Sequence, residues 1–321
     1  MAPLEGRIVG VFGSDPSLKG ALLGSIAKKS EAEGTVVYHR VDAGVVNSFL
    51  DDSQYPERIQ GYSRIASISD YAYYVLPRFR KIAQPDGEIA VLVDSFSLRG
   101  SMIALDEEPP PGLAGLFKGT GLEAYPVERR STKSSVLDLS GVGVARNAPA
   151  SGTLVYLDRT FSVKGVGVVA LGFVLAGMVS LHDELRLVPN PEGKRAEVRG
   201  IQVNDVDQEE VGSGIRVGLS LKGVELKDLA KVSWLDDGSL QMRESLDVEF
   251  AQSRFYKQPV AGRDLHIQLP GELLTCKLAS SGAGLRADLP EQVPVWPGMR
   301  VSIIDLNGKG LRVAGGGKVN P

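Results

Sequence analysis

The sequence predicts a multidomain fold, α/β in its first part and β in the rest. Three observations predict it. The run from Arg7 to Phe12 is short and apolar, as a buried parallel strand is, and a polar loop and a helix-like stretch over residues 19–33 follow it. That is the strand, loop, helix entry of an α/β domain. Over residues 157–177 the chain is rich in β-branched residues and punctuated by glycine, a pattern of strand, tight turn, strand. Beyond Leu235, apolar and polar residues alternate in 246–250 and 265–269, marking half-buried strands between Pro and Gly turns.

Taken in order, residues 35–39 read as a second strand, 57–69 as a helix and 70–76 as a third strand. The turn Gln84-Pro85-Asp86-Gly87 is expected to lead into a further strand over 88–94. Residues 106–112, acidic and rich in proline, read as a loop. Small and turn-forming residues at 147–152 place a boundary, which gives domains of 1–150, 151–235 and 236–321. Within 157–177, Gly165-Val166-Gly167 with Gly172 imitates a dinucleotide-binding fingerprint, but no helix pattern follows the glycines. The uncharged run over 165–181 falls short of the roughly 20 apolar residues of a membrane helix, and its glycines suit a barrel wall.

The 321 residues are enough for two or three domains, each with its own core. A formal net charge of -3 supplies no global field for a polyanion, so any nucleic-acid contact has to come from local basic patches. The single cysteine, Cys276, excludes an internal disulfide framework, and His39, His182 and His266 are too scattered for a metal motif. The N-terminus lacks a basic stretch followed by an apolar one, so the expected compartment is the cytoplasm, with no membrane and no DNA partner.

The order of motifs adds what periodicity cannot. The segment Asp158-Arg159-Thr160-Phe161-Ser162-Val163-Lys164-Gly165, then Asp183-Glu184-Leu185, Val198-Arg199-Gly200, Gly214-Ile215-Arg216 and Leu221-Lys222-Gly223, resembles the second domain of translational GTPases of the elongation factor Tu class. Within that class it is most similar to SelB, the selenocysteine-specific factor. The resemblance implies a P-loop GTPase-like α/β domain followed by two small β-barrels. The closing stretches 296–306 and 310–317 are similar to the end of the third domain of SelB. SelB-type factors carry a further domain for a messenger hairpin, which has no counterpart here, and this suits a factor serving another special amino acid, such as pyrrolysine.

Set against the family, the nucleotide motifs are degenerate. Gly13 and Lys19 match a G-x-x-x-x-G-K-S/T phosphate loop, but Leu18 replaces its second glycine and Gly20 its magnesium-binding hydroxyl. A structural β–α turn with an ordinary lysine is the other reading of this segment. Val41-Asp42-Ala43-Gly44 resembles the D-x-P-G switch without its proline, and Val45 stands in place of the water-positioning histidine. Asp106 alone remains of the motif that reads guanine, and Ser131-Thr132-Lys133 resembles the segment that backs the base. With each contact weakened by roughly 1.5–3 kcal/mol, GTP or GDP with magnesium is expected to bind poorly and to be hydrolysed little or not at all.

In the resemblance to SelB, an Asp-Arg pair opening the second domain and an arginine on a later strand line the aminoacyl pocket. Asp158, Arg159 and Arg216 hold those positions. Guanidinium forks suit a polar or anionic group and the carboxylate an amine, while a plain surface ion pair is the competing reading. Lys164, Arg186, Lys194, Arg195, Arg199, Lys309, Arg312 and Lys318 are candidates for phosphate contacts. The implied partners are aminoacyl-tRNA and the ribosome. Three functions follow: an aminoacyl-tRNA carrier with worn GTPase machinery, a working GTP-binding factor, and a non-enzymatic regulator on the ribosome.

Overall fold

The computed structural model of the chain describes residues 4–30, 35–77, 83–106, 108, 113–132, 137, 139, 142–190, 192–282 and 284–320. The first part is a sheet of β1 (Gly6–Phe12), β2 (Lys28–Ser30), β3 (Thr35–Asp42), β4 (Val45–Asp52), β5 (Tyr71–Val75), β6 (Gly100–Leu105) and β7 (Val127–Arg130). Their order is β2-β3-β4-β1-β5-β6-β7, parallel from β4 through β7 with an antiparallel edge of β2 and β3. Helices α1 (Pro16–Ile26), α2 (Gln60–Ile68), α3 (Gln84–Ser95) and α4 (Leu113–Phe117) connect the strands. The apolar run of β1 is buried on both faces, as a central parallel strand requires.

Two barrels follow. The first is built from β8 (Leu154–Val163), β9 (Gly167–Ala176), β10 (Met178–Ser180), β11 (Glu184–Val188), β12 (Arg195–Val203), β13 (Val206–Gln208), β14 (Glu210–Gly212), β15 (Arg216–Lys222) and β16 (Trp234–Asp236). The order β11-β16-β8-β9-β15-β12 closes through a β11–β12 pairing. The second, of β17 (Gln241–Gln252), β18 (Asp264–Gln268), β19 (Leu273–Ser281), β20 (Gly284–Val295), β21 (Arg300–Ile304) and β22 (Val313–Val319), closes in the order β17-β20-β19-β18-β21-β22. The architecture is the expected one, an α/β layer and two six-stranded barrels. The glycine-punctuated stretch is the hairpin β8–β9, with Val166 N–H bonded to the Val163 carbonyl at 3.1 Å, and no cofactor loop.

Four local expectations are corrected. Residues 88–94 form the body of α3 and not a strand. Pro85 sits in its first turn and the Asp86 carboxylate accepts from Ala83 N–H at 2.9 Å, so the expected turn is a helix start. The helix is wedged between the sheet and the second barrel, and Ile89 through Val93 are all buried, which erases the helical period from the sequence. Helix α1 starts at Pro16 and stops at Ile26, because Lys28–Ser30 pairs with β3; residues 31–33 of the longer helix expected from sequence lie outside the described residues. Asp42-Ala43-Gly44 is the tip of the β3–β4 hairpin, where Ala43 and Gly44 take φ of 47° and 84°, a two-residue turn that matches strand twist. It lies beside the start of β1, at the end of the sheet away from Gly13. Most of the proline-rich loop, and Lys133, lie outside the described residues.

The second barrel and the α/β layer share one apolar cluster, running from Ile8, Tyr62 and Ile89 to Ile267 and Val301. Polar bonds fasten the same face. Arg312 of the second barrel forks onto Glu88 of α3 at 2.5 and 3.0 Å, and Arg312 N–H adds a bond of 2.8 Å. Ser63 Oγ of α2 donates to Gln268 Oε1 at 2.6 Å, Arg64 Nε to the Gly271 carbonyl at 3.1 Å, and Gly271 N–H to Ser67 Oγ at 2.9 Å.

Candidate functional site

Two regions bring the predicted residues together. The first lies at the C-terminal end of β1, where α/β sheets place ligands. Only Gly13, Ser14 and Asp15 separate β1 from α1, because Asp15 caps the helix and Pro16 opens it. The Asp15 carboxylate accepts from Ser17 N–H at 3.0 Å and Leu18 N–H at 3.2 Å, so the chain's own anion lies on the helix N-terminus. Lys19, inside the first turns of α1, is 1% exposed and points into the protein. Its ammonium donates to Asp51 Oδ1 at 2.6 Å, to the Asp52 carbonyl at 3.3 Å and to the Tyr62 hydroxyl oxygen. The Tyr62 hydroxyl in turn donates to the Gly13 carbonyl at 3.0 Å. Burial first, and then the Asp51 and Asp52 charges, hold the Tyr62 hydroxyl well above the usual tyrosine pKa, so it stays a donor.

Asp51 and Asp52 end β4, the parallel neighbour of β1. They, and not Asp42, are the acidic groups beside the phosphate-loop position. Burial also raises the Asp52 carboxyl above its usual value, and its Oδ2 lies so close to α2 that a Cβ on Gly61 would meet it at 2.1 Å. Across the sheet, Asp106 follows β6, and its carboxylate takes Thr132 N–H at 3.1 Å and Thr132 Oγ1 at 2.8 Å. Asp106 and the Ser131-Thr132 segment are therefore neighbours, as the family's order implies, and they bond to each other.

The second region is a cleft between the α/β layer and the first barrel. The β8–β9 register slips between Leu157 and Arg159, so Asp158 is the extra residue of a bulge, a device that re-aims side chains. Arg216, opening β15, pairs with Phe173 of β9 and reaches the bulge, with Nη2 and Nε 3.1 and 3.4 Å from Asp158 Oδ2. Asp158 Oδ1 is buried with no hydrogen-bond partner. Asp158, Arg159 and Arg216 line one pocket together with Arg64, Ile65 and Tyr156, so α2 forms its opposite wall. A larger cleft of about 730 Å³ adjoins it, lined by Lys28, Lys29, His39, Phe161, Leu171 and Arg216 among others. His39 is held down to about pKa 4, by burial first and by Arg216 second, and its Nδ1 lies 3.2 Å from Ser48 Oγ.

Of the basic candidates, Arg186 is forked onto Asp236 at 2.8 and 2.7 Å, Lys194 pairs with Asp228 at 2.5 Å and Arg312 with Glu88, so these brace the fold. Arg195 donates to the Glu184 carbonyl at 2.8 Å. Lys164, Arg199, Lys309 and Lys318 are exposed. No helix among the described residues is long and apolar enough to cross a membrane, and none of their His, Cys, Asp and Glu side chains form a group of three fit for a metal. Sequence reasoning missed Asp15, Asp51 and Tyr62. The first two had a signal: Asp-Pro before a helix is a capping pattern, and Asp51-Asp52 closes the apolar strand Val45–Asp52.

Comparison with known proteins defines the class. Residues 167–233 match the family described as "Elongation factor Tu domain 2". An α/β layer, that barrel and a second barrel make up the three-part architecture of the elongation factor Tu class. Within that class the fold is most readily compared with SelB. It is similar to that of translation elongation factor SelB from Methanococcus maripaludis, crystallised with the GTP analogue GppNHp, at a TM-score of 0.80 and 19% identity, over 100% of this chain and 80% of that one. The selenocysteine-specific elongation factor of Desulfomicrobium baculatum is 36% identical over 75 residues, 23% of this chain and 12% of that protein. The chain is also similar to the uncharacterized protein MJ0325 of Methanocaldococcus jannaschii, 25% identical over 98% of this chain and 100% of that one.

Proposed function

We propose that the protein is a SelB-like translation elongation factor that holds an aminoacyl-tRNA for delivery to the ribosome, with GTP binding and hydrolysis weak or lost. The observation that carries this is the contrast between the two regions. In the cleft, Asp158 Oδ1 is a buried acceptor without a donor and Arg216 is tied by one edge only, so an ammonium and a carbonyl or anionic group would both find partners there. In the nucleotide region, Asp15, Lys19 and Asp106 are bonded to the chain itself. A phosphate or a guanine would have to break those bonds first, and the free energy of doing so subtracts from affinity.

The aminoacyl end of a tRNA matches the polar groups here by chemistry, an α-ammonium for Asp158 and an ester carbonyl for the arginines; the pocket at these residues is only about 40 Å³, so the amino-acid side chain would extend into the adjoining cleft of about 730 Å³, along Phe161 and Leu171. Arg159 and Arg216 then orient the ester, and Asp158 selects a free amine. The exposed Lys164 and Arg199 on the first barrel, and Lys28 and Lys29 across the cleft, suit the tRNA backbone. The testing experiment is binding of charged and uncharged tRNA pools to the full chain, with and without 1 mM GTP and magnesium, with the retained amino acids identified. The expected outcome is preference for charged tRNA, unchanged by GTP. Equal, steeply salt-dependent binding to any RNA would refute the carrier reading, and GTP-dependent retention would favour the working GTPase. Ribosome binding without tRNA affinity would favour the regulator.

A further inference from the structure

Helix α2 touches the phosphate-loop position, the second barrel and the cleft. From one face Tyr62 reaches the Lys19 ammonium and the Gly13 carbonyl, with its ring stacked on Tyr55 at 4.7 Å and edge-on to Phe12 at 5.2 Å. From another, Ser63, Arg64 and Ser67 bond to Gln268 and Gly271 of the second barrel. From a third, Arg64, Ile65 and Ile68 wall the pocket that holds Asp158 and Arg216. The helix has nine residues, no side-chain cap at Ile59 and no acidic residue in its first turn, so little in its own sequence fixes it. Its position depends on what it is tied to.

The firmest of those ties lies in the phosphate-loop position. The Lys19 ammonium has three donors and three acceptors here: Asp51, the Asp52 carbonyl and Tyr62. It is saturated without a ligand. The pair it forms with Asp51 is almost wholly shut off from solvent, where removing one partner is far costlier than at a surface. Gly61 meanwhile seats α2 directly on the Asp52 carboxylate.

We propose that the Lys19–Asp51–Tyr62 cluster is a built-in substitute for a bound nucleotide, which locks α2 between the loop after β1, the cleft and the second barrel so that the cleft is formed without any ligand in the loop. The lock rests on the reading of nucleotide binding as weak or lost, and it deepens that reading by giving the retained lysine a task. It accounts for a chain that keeps Gly13 and Lys19 while Leu18 and Gly20 have replaced the other loop residues. A binding group has become a structural one.

The test is amide hydrogen exchange on the full chain, comparing wild type, Tyr62→Phe and Lys19→Met, each with and without 1 mM GTP and magnesium. In wild type, exchange over residues 60–68 is expected to be unaltered by the nucleotide. Tyr62→Phe keeps the ring and deletes the hydroxyl, and it is expected to speed exchange over 60–68 and 268–272 by about fivefold or more, leaving β12 unchanged. Lys19→Met is expected to do the same more strongly; should it fail to fold because Asp51 is left unpaired, Tyr62→Phe decides alone. A smaller rise in Tyr62→Phe, or slowing of wild-type exchange at α2 by about fivefold on adding nucleotide, overturns the proposal. No tRNA enters the experiment, so a lack of tRNA affinity would end the carrier reading and leave the lock standing.

Discussion

Replacing Arg216 with methionine removes the guanidinium from the cleft while keeping an unbranched side chain against the Phe173 ring, whose centroid lies 5.9 Å from the Arg216 guanidinium carbon. Two effects follow. Charge-assisted hydrogen bonds to a ligand are worth about 1.5–3 kcal/mol each, so affinity for aminoacyl-tRNA is expected to fall by about 10- to 150-fold. The second effect needs no ligand. His39 sits at about pKa 4, held down by burial and then by the Arg216 charge. In the variant the charge is gone and the burial remains, so the midpoint is expected to rise but to stay below the unfolded value of about 6.5. The folded protein binds this proton less readily than the unfolded chain. Stability is therefore at its plateau above pH about 6.5 and is lost as the pH falls from there to about 4, by on the order of 3 kcal/mol in wild type and less in the variant. The assay is an NMR titration of the histidine ring protons, simple to assign with three histidines in the chain, together with urea unfolding at pH 7 and pH 5. A wild-type His39 midpoint near 6.5, or a midpoint identical in the variant, would refute the placing of His39 beside Arg216.

Two further substitutions test how the α/β layer is held to the second barrel and to α2. Glu88→Ala leaves the Arg312 guanidinium without a carboxylate, held by the Pro56 and Glu57 carbonyls at 2.9 and 3.2 Å and over the Tyr55 ring at 5.9 Å. Loss of one partner of so buried a pair is expected to cost about 3–5 kcal/mol in urea unfolding followed by tryptophan fluorescence, and a loss below about 1 kcal/mol would mean the pair is not buried in solution. Gly61→Ala drives a Cβ to within 2.1 Å of Asp52 Oδ2, so α2 or the Asp52 carboxylate has to shift. About 1–3 kcal/mol of destabilisation is expected in thermal unfolding, and an unchanged midpoint would show that α2 does not rest on Asp52.

The legible parts of the sequence were those where local chemistry and tertiary role agree. The β8–β9 hairpin announces itself because β-branched runs broken by glycine have few other uses, and the motif order then places Asp158, Arg159 and Arg216 on strands of one barrel. The illegible parts were those whose neighbours come from far along the chain. Helix α3 reads as a strand because the sheet covers one of its sides and the second barrel the other, so no polar face is left to mark a helical period. Val41-Asp42-Ala43-Gly44 resembles the switch by its Asp and Gly alone, and only the register of β4 on β1 says that Asp51 and Asp52 are the acidic residues that reach the loop.

By itself the sequence determined the succession of α/β layer and barrels and the β8–β9 hairpin with its turn, since each is encoded within a few neighbouring positions, while Asp158, Arg159 and Arg216 were singled out by the resemblance in motif order. Tertiary structure alone decided that Lys19 is turned inward. Its partners, Asp51 and Tyr62, lie 32 and 43 positions away, and a lysine that meets a phosphate is spelled no differently from one that meets a carboxylate and a phenol of its own chain.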